Sequence, residues 1–396
     1  MNKKLMAVAV AGAFAIPAIA LAETSAVELY GRGHLGFSQY SATGATAGVA
    51  SDYLKRSRVY DNGSRLGVRG SEDLGGGMKA LLVIESGVNI DTGNGNGQAN
   101  TANASTGTFA SRDSYVGIGG NWGDVRWGRQ SIFWANGVIS QMAANYVETE
   151  ISFANAASMG RVGGPSARVS NVMSYNSPTV AGFNGSVSYA PNSEAAAAGT
   201  NTNATITGIT VRYFGKVNVQ FDRGVNEAAT PETATGNRLK ITGTKLGVGY
   251  PYAPGAQISL IMATDTNQDV AGTARFSALH DTVKATAMTL NWEHIAGNIQ
   301  YLAMLGKLKA ATGCTETAGA NPGLTGTTCA GTEATAIMLG VRYLMSKRTA
   351  LYVSYNSTTN GANQTNDYTG GNITSANPIN AGADPKLLAV GMVHNF

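Results

Sequence analysis

The sequence predicts an all-β chain that closes into a sixteen-stranded antiparallel transmembrane β-barrel. Three observations carry that prediction. The chain is built of segments in which apolar and polar residues alternate. The connections between those segments alternate between short and long. The composition is poor in charge, with 13% Asp, Glu, Lys and Arg, and rich in glycine, with 51 Gly in 396 residues; average globular chains carry about 25% charge. No segment beyond the N-terminus has the roughly 20 apolar residues that a spanning helix needs.

The N-terminus reads as a secretory signal. Lys3 and Lys4 form a positive n-region, Leu5 to Ile19 an apolar h-region and Ala20-Leu21-Ala22 a cleavage site. Residues 1–22 are therefore set apart from the barrel of 23–396. The run is short and Pro17 interrupts it, which argues against a membrane anchor. Without Lys3 and Lys4 the 28 basic residues fall to 26, against 24 acidic ones. That balance gives no bulk-charge argument for binding nucleic acid.

The first strand is "VELYGRGHLGFSQY", with Val27, Leu29, Leu35 and Phe37 on one parity and Tyr30, Arg32, His34 and Ser38 on the other. "SRLGVRGSE" sets Leu66 and Val68 against Arg65 and Arg69, and leads through Gly75-Gly76-Gly77 into "MKALLVIESGVNI". Successive strand side chains point to opposite faces, so each segment has an apolar and a polar side. "SYVGIGGNWGDVRWGRQ" is a hairpin turning at Asn121 to Asp124. The early strands fall near 27–40, 54–71, 77–90, 108–120 and 122–130. After 131–166, which does not alternate, strands are expected near 167–177, 183–191, 204–214, 215–223, 239–250, 256–266, 282–294, 297–309, 333–345, 349–358 and 385–396.

Turns such as "NWGD", "FGK", "IAGN" and "MSKR" are short, whereas 41–53, 91–107, 131–166, 192–203, 224–238, 267–281, 310–332 and 359–384 are long and polar. Dyad strands with short turns at one end and long loops at the other describe an outer-membrane barrel with an even strand number. Closure follows because an open edge in lipid would leave backbone groups unpaired. A soluble sandwich does not account for the signal or for the loop rhythm.

Cys314 and Cys329 flank the polar segment "TETAGANPGLTGTT". An exported chain meets an oxidising compartment, so a disulfide between them is expected. Closing a loop of this size adds about 3 kcal/mol in the chain-entropy account. No His lies beside the pair, and His34, His280, His294 and His394 are scattered without an HExxH or Cys/His cluster. No catalytic set, metal site or cofactor fingerprint is therefore expected.

Four stretches carry a resemblance to a known family: "SRLGVRGSEDLGGGMKALLVIESG", "RDSYVGIGGNWGDVRWGRQS", "RVSNVMSYNSPTVAGFNGSVSYA" and the final "LLAVGMVHNF". In this order and spacing they resemble the trimeric general-diffusion porins of Gram-negative outer membranes, close to the β-proteobacterial branch. The resemblance implies a homotrimer of sixteen-stranded barrels in the outer membrane, among lipid and lipopolysaccharide. It also implies a third extracellular loop folded inward as a constriction, and passage of ions and small hydrophilic solutes. The terminal Phe396, on the parity of Leu388, Val390 and Met392, would be the signal read by the barrel-assembly machinery.

The same resemblance implies a ladder of arginines on the early strands facing acids on the inward loop. Arg65 and Arg112 match ladder positions in "SRLG" and "SRDSYVG", and Arg161 in "GRVGG" looks like a third. Arg32, Arg69 and Arg168 are further candidates by parity: Arg32 lies opposite Leu29 and Leu35, and Arg168 opposite Val169, Met173 and Tyr175. Arg112 is placed in the lumen opposite Tyr115. A lipid-facing Arg costs roughly 2–4 kcal/mol at mid-depth, so these side chains belong inside. Arg129 shares the parity of Val125 and Trp127 and suits a trimer contact. The loop acids are Glu148 and Glu150, and the residues do not separate which of the two points inward; the family's fuller acidic motif is absent. The expected activity is a passive pore with mild anion preference. A substrate-selective anion or organic-acid channel, or a plugged barrel serving as receptor or adhesin, are the alternatives.

Overall fold

The computed structural model describes residues 26–91, 109–132, 168–192, 204–231, 238–268, 282–313, 329–366 and 379–396. They form one antiparallel sheet of seventeen strand segments, in which each segment except at the step from the second to the third pairs with its sequence neighbour and the first pairs with the last. β1 is Ala26–Thr43; β2 (Tyr53–Asp61) and β3 (Arg65–Gly75) both lie against it, β2 on its upper half and β3 on its lower half. They are one stave interrupted at Asn62 to Ser64, so the wall has the sixteen staves expected, with the strand read near 54–71 broken in the middle.

The remaining strands are β4 (Met78–Gly87), β5 (Ser114–Gly120), β6 (Gly123–Ser131), β7 (Arg168–Asn176), β8 (Phe183–Asn192), β9 (Ala204–Tyr213), β10 (Asn218–Pro231), β11 (Arg238–Ala253) and β12 (Ala256–Gln268). They continue as β13 (Thr282–Ala296), β14 (Ile299–Leu308), β15 (Ala334–Leu344), β16 (Thr349–Asn360) and β17 (Asp384–Asn395). Among the described residues a single 3-10 turn, Val49–Ser51, is present, between β1 and β2. Residues 1–25, on which the expected export signal falls, the body of the connection 131–166 and most of the other long loops lie outside the described residues.

β15 shows the polarity that governs the wall. Ala334, Ala336, Met338, Gly340 and Arg342 are buried toward the inside, while Ile337, Leu339, Val341 and Tyr343 are exposed outside. The exposed apolar set runs round the barrel through Leu29, Phe37, Val59, Leu82, Leu246, Met262 and Leu305. This is the reverse of a water-soluble barrel and fits a lipid solvent. Near the short turns aromatic residues gather on the outside: Trp292 Nε1 donates to the Tyr252 hydroxyl at 2.9 Å, and His294 stacks on both rings. Such a girdle belongs at a membrane interface.

The seam between the first and last strands carries its own device. Tyr60, Gly36, Gly391 and Tyr352 form one cross-strand row over β2, β1, β17 and β16. The two glycines leave a notch in the inner wall. The Tyr60 ring fills the space where a Gly36 side chain would stand, and the Tyr352 ring does the same over Gly391. The two hydroxyls hydrogen-bond to each other across the notch. Two aromatic rings thus cover two bare backbones and bolt three strand junctions together.

Gly391→Val should therefore dislodge the Tyr352 ring, with an overpacking cost of roughly 1–3 kcal/mol. The temperature at which the barrel loses its compact, detergent-resistant gel mobility should fall. An unchanged transition would mean that the ring is not seated in the notch.

Candidate functional site

The inner wall brings together a band of guanidinium groups. Arg32 on β1 is the cross-strand partner of Arg65 on β3, and Arg65 in turn pairs with Gly87 on β4. The Gly87 amide donates to Ser111 Oγ at 3.0 Å, next to Arg112. Three arginines, from β1, from β3 and from the segment leading into β5, with β4 between the last two, therefore stand at one height. Like charges placed directly opposite repel, so the band needs a counter-charge.

That counter-charge is Glu85 on β4. Arg112 Nε donates to Glu85 Oε1 at 2.5 Å, and Arg65 Nε lies 3.6 Å from Oε2. The Tyr30 hydroxyl donates to Oε2 at 3.2 Å, and the Arg112 amide to the Glu85 carbonyl at 2.9 Å. One carboxylate thus holds two guanidiniums, whose planar forks stay charged at any relevant pH. The sequence reading missed Glu85. Its signal was present: in "LLVIESG" it stands on the parity of Val83, against Leu82 and Ile84 on the other, and an ionised carboxylate has no place in lipid.

Arg112 reaches the lumen by a route other than the expected one. Tyr115 also faces inward, with Arg126 over its ring at 4.8 Å, while Val116 is exposed outside. Strict alternation would then send Arg112 outward. Alternation stops before β5, however: Ala110 has a φ of 65°, and the Ser86 and Ser111 hydroxyls accept the amides of Ala110 and Gly87. Freed from the ladder, the Arg112 side chain turns in to Glu85. The strand expected from 108 accordingly starts at Ser114.

Arg168 is a correction. Between the pairs Gly128–Val172 and Gln130–Val169, β7 carries one residue more than β6, a bulge marked by a φ of 59° at Asn171. A bulge reverses parity for everything beyond it. Val169 is thus buried on the inner face with Gln130, and Arg168 shares the outer face with Ser131. There Arg168 Nε donates to Asp113 Oδ1 at 2.7 Å, and Ser131 Oγ donates to the same oxygen at 2.8 Å. Arg129 joins them on the outside, donating to the Ser111 carbonyl and to Ser170 Oγ.

Arg69 faces inward but stands four residues below Arg65, about 13 Å nearer the Gly75–Gly77 turn. It forms two 2.8 Å hydrogen bonds to Glu28. Both side chains are more than half exposed, so the pair contributes little to stability. Arg161, Glu148 and Glu150 lie outside the described residues. Cys329 is disulfide-bonded, and Cys314 lies outside the described residues. The Phe396 amide and carbonyl both pair with Gly31, so the residue completes the β1–β17 ladder.

Further inner-wall cations had not been singled out. Arg58 lies between the Tyr40 and Tyr60 rings, at 5.4 and 5.5 Å from their centroids. Arg342 donates to Gln300 at 2.6 Å. Arg32 donates to His34 Nδ1 at 2.6 Å, which leaves His34 Nε2 to donate to Tyr352 at 2.9 Å. On the far wall Asp222 accepts from Thr210 and Gln220 and pairs with Lys245 at 3.3 Å. In "YLKRSRVYD" consecutive basic residues blur the alternation, whereas in "LGVRYL" the parity of Arg342 was readable.

Residues 7–363 match the family described as Gram-negative porin. The chain is 31% identical over 201 residues to the major outer membrane protein P.IB of Neisseria lactamica, covering 50% of this chain and 52% of that protein. It is also 31% identical over 284 residues to an outer membrane porin protein of Bordetella pertussis, covering 63% and 69%. The chain spans about half the length of the first of these relatives. Among solved structures it is similar to an anion-selective porin from Comamonas acidovorans, with a TM-score of 0.68 at 22% identity over 94% of this chain and all of that one. That likeness speaks to the fold.

Glu85→Gln keeps the shape and removes the counter-charge from Arg65 and Arg112. Chloride preference should rise roughly twofold, read as zero-current potential across a bilayer under a KCl gradient. An unaltered potential would place this cluster away from the ion path.

Proposed function

The chain belongs to the Gram-negative porin family, and on that premise we propose that it forms a water-filled channel for passive diffusion of ions and small hydrophilic solutes, with a mild preference for anions. Members of this family are outer-membrane channel proteins, and the inverted polarity of this wall suits that location. Residues 1–22 serve as the export signal and 23–396 as the barrel. Three such barrels assemble, Phe396 is the mark read during insertion, and Arg161 with Glu148 or Glu150 completes the slot from the loop side.

The observation that carries this reading is the Arg32–Arg65–Arg112 band, matched by the single carboxylate of Glu85. The excess positive charge lies on one side of an aqueous lumen, so it sets up a field across the path. Such a field orients dipolar solutes and holds aligned water that an apolar solute would have to displace. Arg58 and Arg342 extend the same sign along the wall. The solved neighbour is titled an anion-selective porin, and the charges named here support the same sign.

The decisive measurement is the zero-current potential of the purified protein under a KCl gradient. A modest anion preference is expected, with conductance steps arriving in threes. Arg65→Glu combined with Arg112→Glu should reverse the preference. The wild-type preference should fade from 0.1 M to 1 M salt as the Debye length drops from about 10 Å to about 3 Å. A wild-type preference for cations, or one indifferent to the double substitution, would remove control from this band. Absence of conductance would favour a plugged barrel.

A further inference from the structure

Around Glu85 the inner faces of β1, β3 and β4 form a small grid of three rows. Toward the long connections the row is Arg32–Arg65–Gly87, in the middle Tyr30–Gly67–Glu85, and toward the short turns Glu28–Arg69–Val83. Glu85 therefore has an arginine of β3 on each diagonal, Arg65 above and Arg69 below. Diagonal neighbours across a strand pair stand roughly 7–8 Å apart, within reach of long side chains. Glu85 nevertheless turns only upward. Its Oε1 accepts from Arg112 at 2.5 Å and its Oε2 lies 3.6 Å from Arg65 Nε. Arg69 is held in two hydrogen bonds by Glu28. Side-chain length alone does not make that choice.

Tyr30 accounts for it. Its ring lies flat across the bare backbone of Gly67, occupying the place where a side chain at 67 would stand. Gly67 is the one position on β3 between the two arginines that faces inward, so the ring separates them. The Tyr30 hydroxyl donates to Glu85 Oε2 at 3.2 Å. On the lower side the Arg69 guanidinium packs over the same ring, 5.4 Å from its centroid. The ring thus closes the direct path from Arg69 to Glu85, and the hydroxyl takes the oxygen that Arg69 would otherwise meet. Only glycine at 67 lets the ring cross.

We propose that Tyr30 is a positioning residue that sets the ion preference of the pore by deciding which arginines Glu85 neutralises. It partitions the grid into two groups. Above the ring stand three guanidiniums with one carboxylate; below it stands the neutral pair Arg69–Glu28. Without the ring, Arg69 crosses Gly67 and bridges Glu28 and Glu85. Glu85 is then drawn away from Arg65 and Arg112, and the band carries its full positive charge. The total charge of the lumen does not change, only its place along the path. The proposal rests on the channel reading above.

The test compares Tyr30→Phe, which keeps the ring, with Tyr30→Ala, which opens the path. A crystal structure of the full Tyr30→Ala barrel should show Arg69 within hydrogen-bond reach of Glu85. Chloride preference, read as zero-current potential under a KCl gradient, should rise roughly twofold in Tyr30→Ala and stay near wild type in Tyr30→Phe. In the Tyr30→Ala background Glu85→Gln should add nothing further, and Arg69→Gln should bring the preference back toward wild type. A merely structural role would not be undone by removing Arg69. Tyr30→Val, a better strand former that is also too short to cross Gly67, replaces Tyr30→Ala if that variant folds poorly. The proposal is overturned if Arg69 stays on Glu28 alone in the variant's structure, if Glu85→Gln shifts the potential equally with and without Tyr30, or if Tyr30→Phe acts as strongly as Tyr30→Ala. Should Glu85→Gln be silent in both backgrounds, the channel reading of the band fails, and the position of Arg69 in the crystal structure still decides the partition.

Discussion

The constraint on which the rest of this structure depends is that no backbone amide or carbonyl facing lipid can be left without a partner. A sheet meets it only by closing on itself, so β1 must satisfy β17 on one edge and β2 and β3 on the other. Closure makes the seam the junction between the chain's most distant segments. The Tyr60–Gly36–Gly391–Tyr352 row sits there, where rings from the flanking strands reach over two bare backbones and meet. His34 and Arg32 extend the same network downward from Tyr352 toward the guanidinium band. The device that holds the cylinder shut is thus hydrogen-bonded, through His34, to the first member of the band, Arg32.

Once the sheet is closed, its two faces have different solvents, and alternation becomes an electrostatic sorting rule. Apolar residues take the lipid face and ionised residues the lumen. Arg32 and Arg65 end up directly opposed on neighbouring strands because both obey that rule, not because they attract one another. Glu85 then becomes necessary. Without it the barrel would hold three guanidiniums of one sign at one height on one wall. With it, two of them are fixed in position while the band keeps its net positive charge. Arginine suits this better than lysine: the flat group can bind Glu85 edge-on or lie against tyrosine, as Arg58 does.

The sorting rule also explains what the sequence made legible. Every stave was readable from parity and turn residues, and so was the inward direction of Arg32, Arg65 and Arg69. Parity fails wherever the ladder is locally broken. At Asn171 one extra residue reverses it, and Arg168, inward by counting, ends on the outer wall beside Asp113. Before β5 two serine hydroxyls stand in for backbone partners, and Arg112 turns inward against its parity. Counting residues cannot reveal a bulge, because the bulge is set by which hydrogen bonds form across the strand pair. Glu85 was legible and overlooked, since a lone acid in an apolar run draws less notice than a row of arginines. The loop acids Glu148 and Glu150 could not be placed by the same logic: a segment that does not alternate has no parity from which to read a direction.

The outer wall shows that charge there follows position rather than residue type. Near β5–β7 the outward cations are answered within the chain: Arg168 by Asp113, and Arg129 by a carbonyl and a serine hydroxyl. On β10–β14 Lys240 lies in register with Glu227, whereas the side chains of Arg223, Lys284, Lys307 and Lys309 have no such answer among the described residues. A barrel folding in one homogeneous solvent would have no reason to treat the two sectors differently. A barrel whose outer face meets hydrocarbon, headgroups and other protein at different points does. Self-neutralised charge suits a sector that packs against protein, because it brings no unpaired ion into a dry contact.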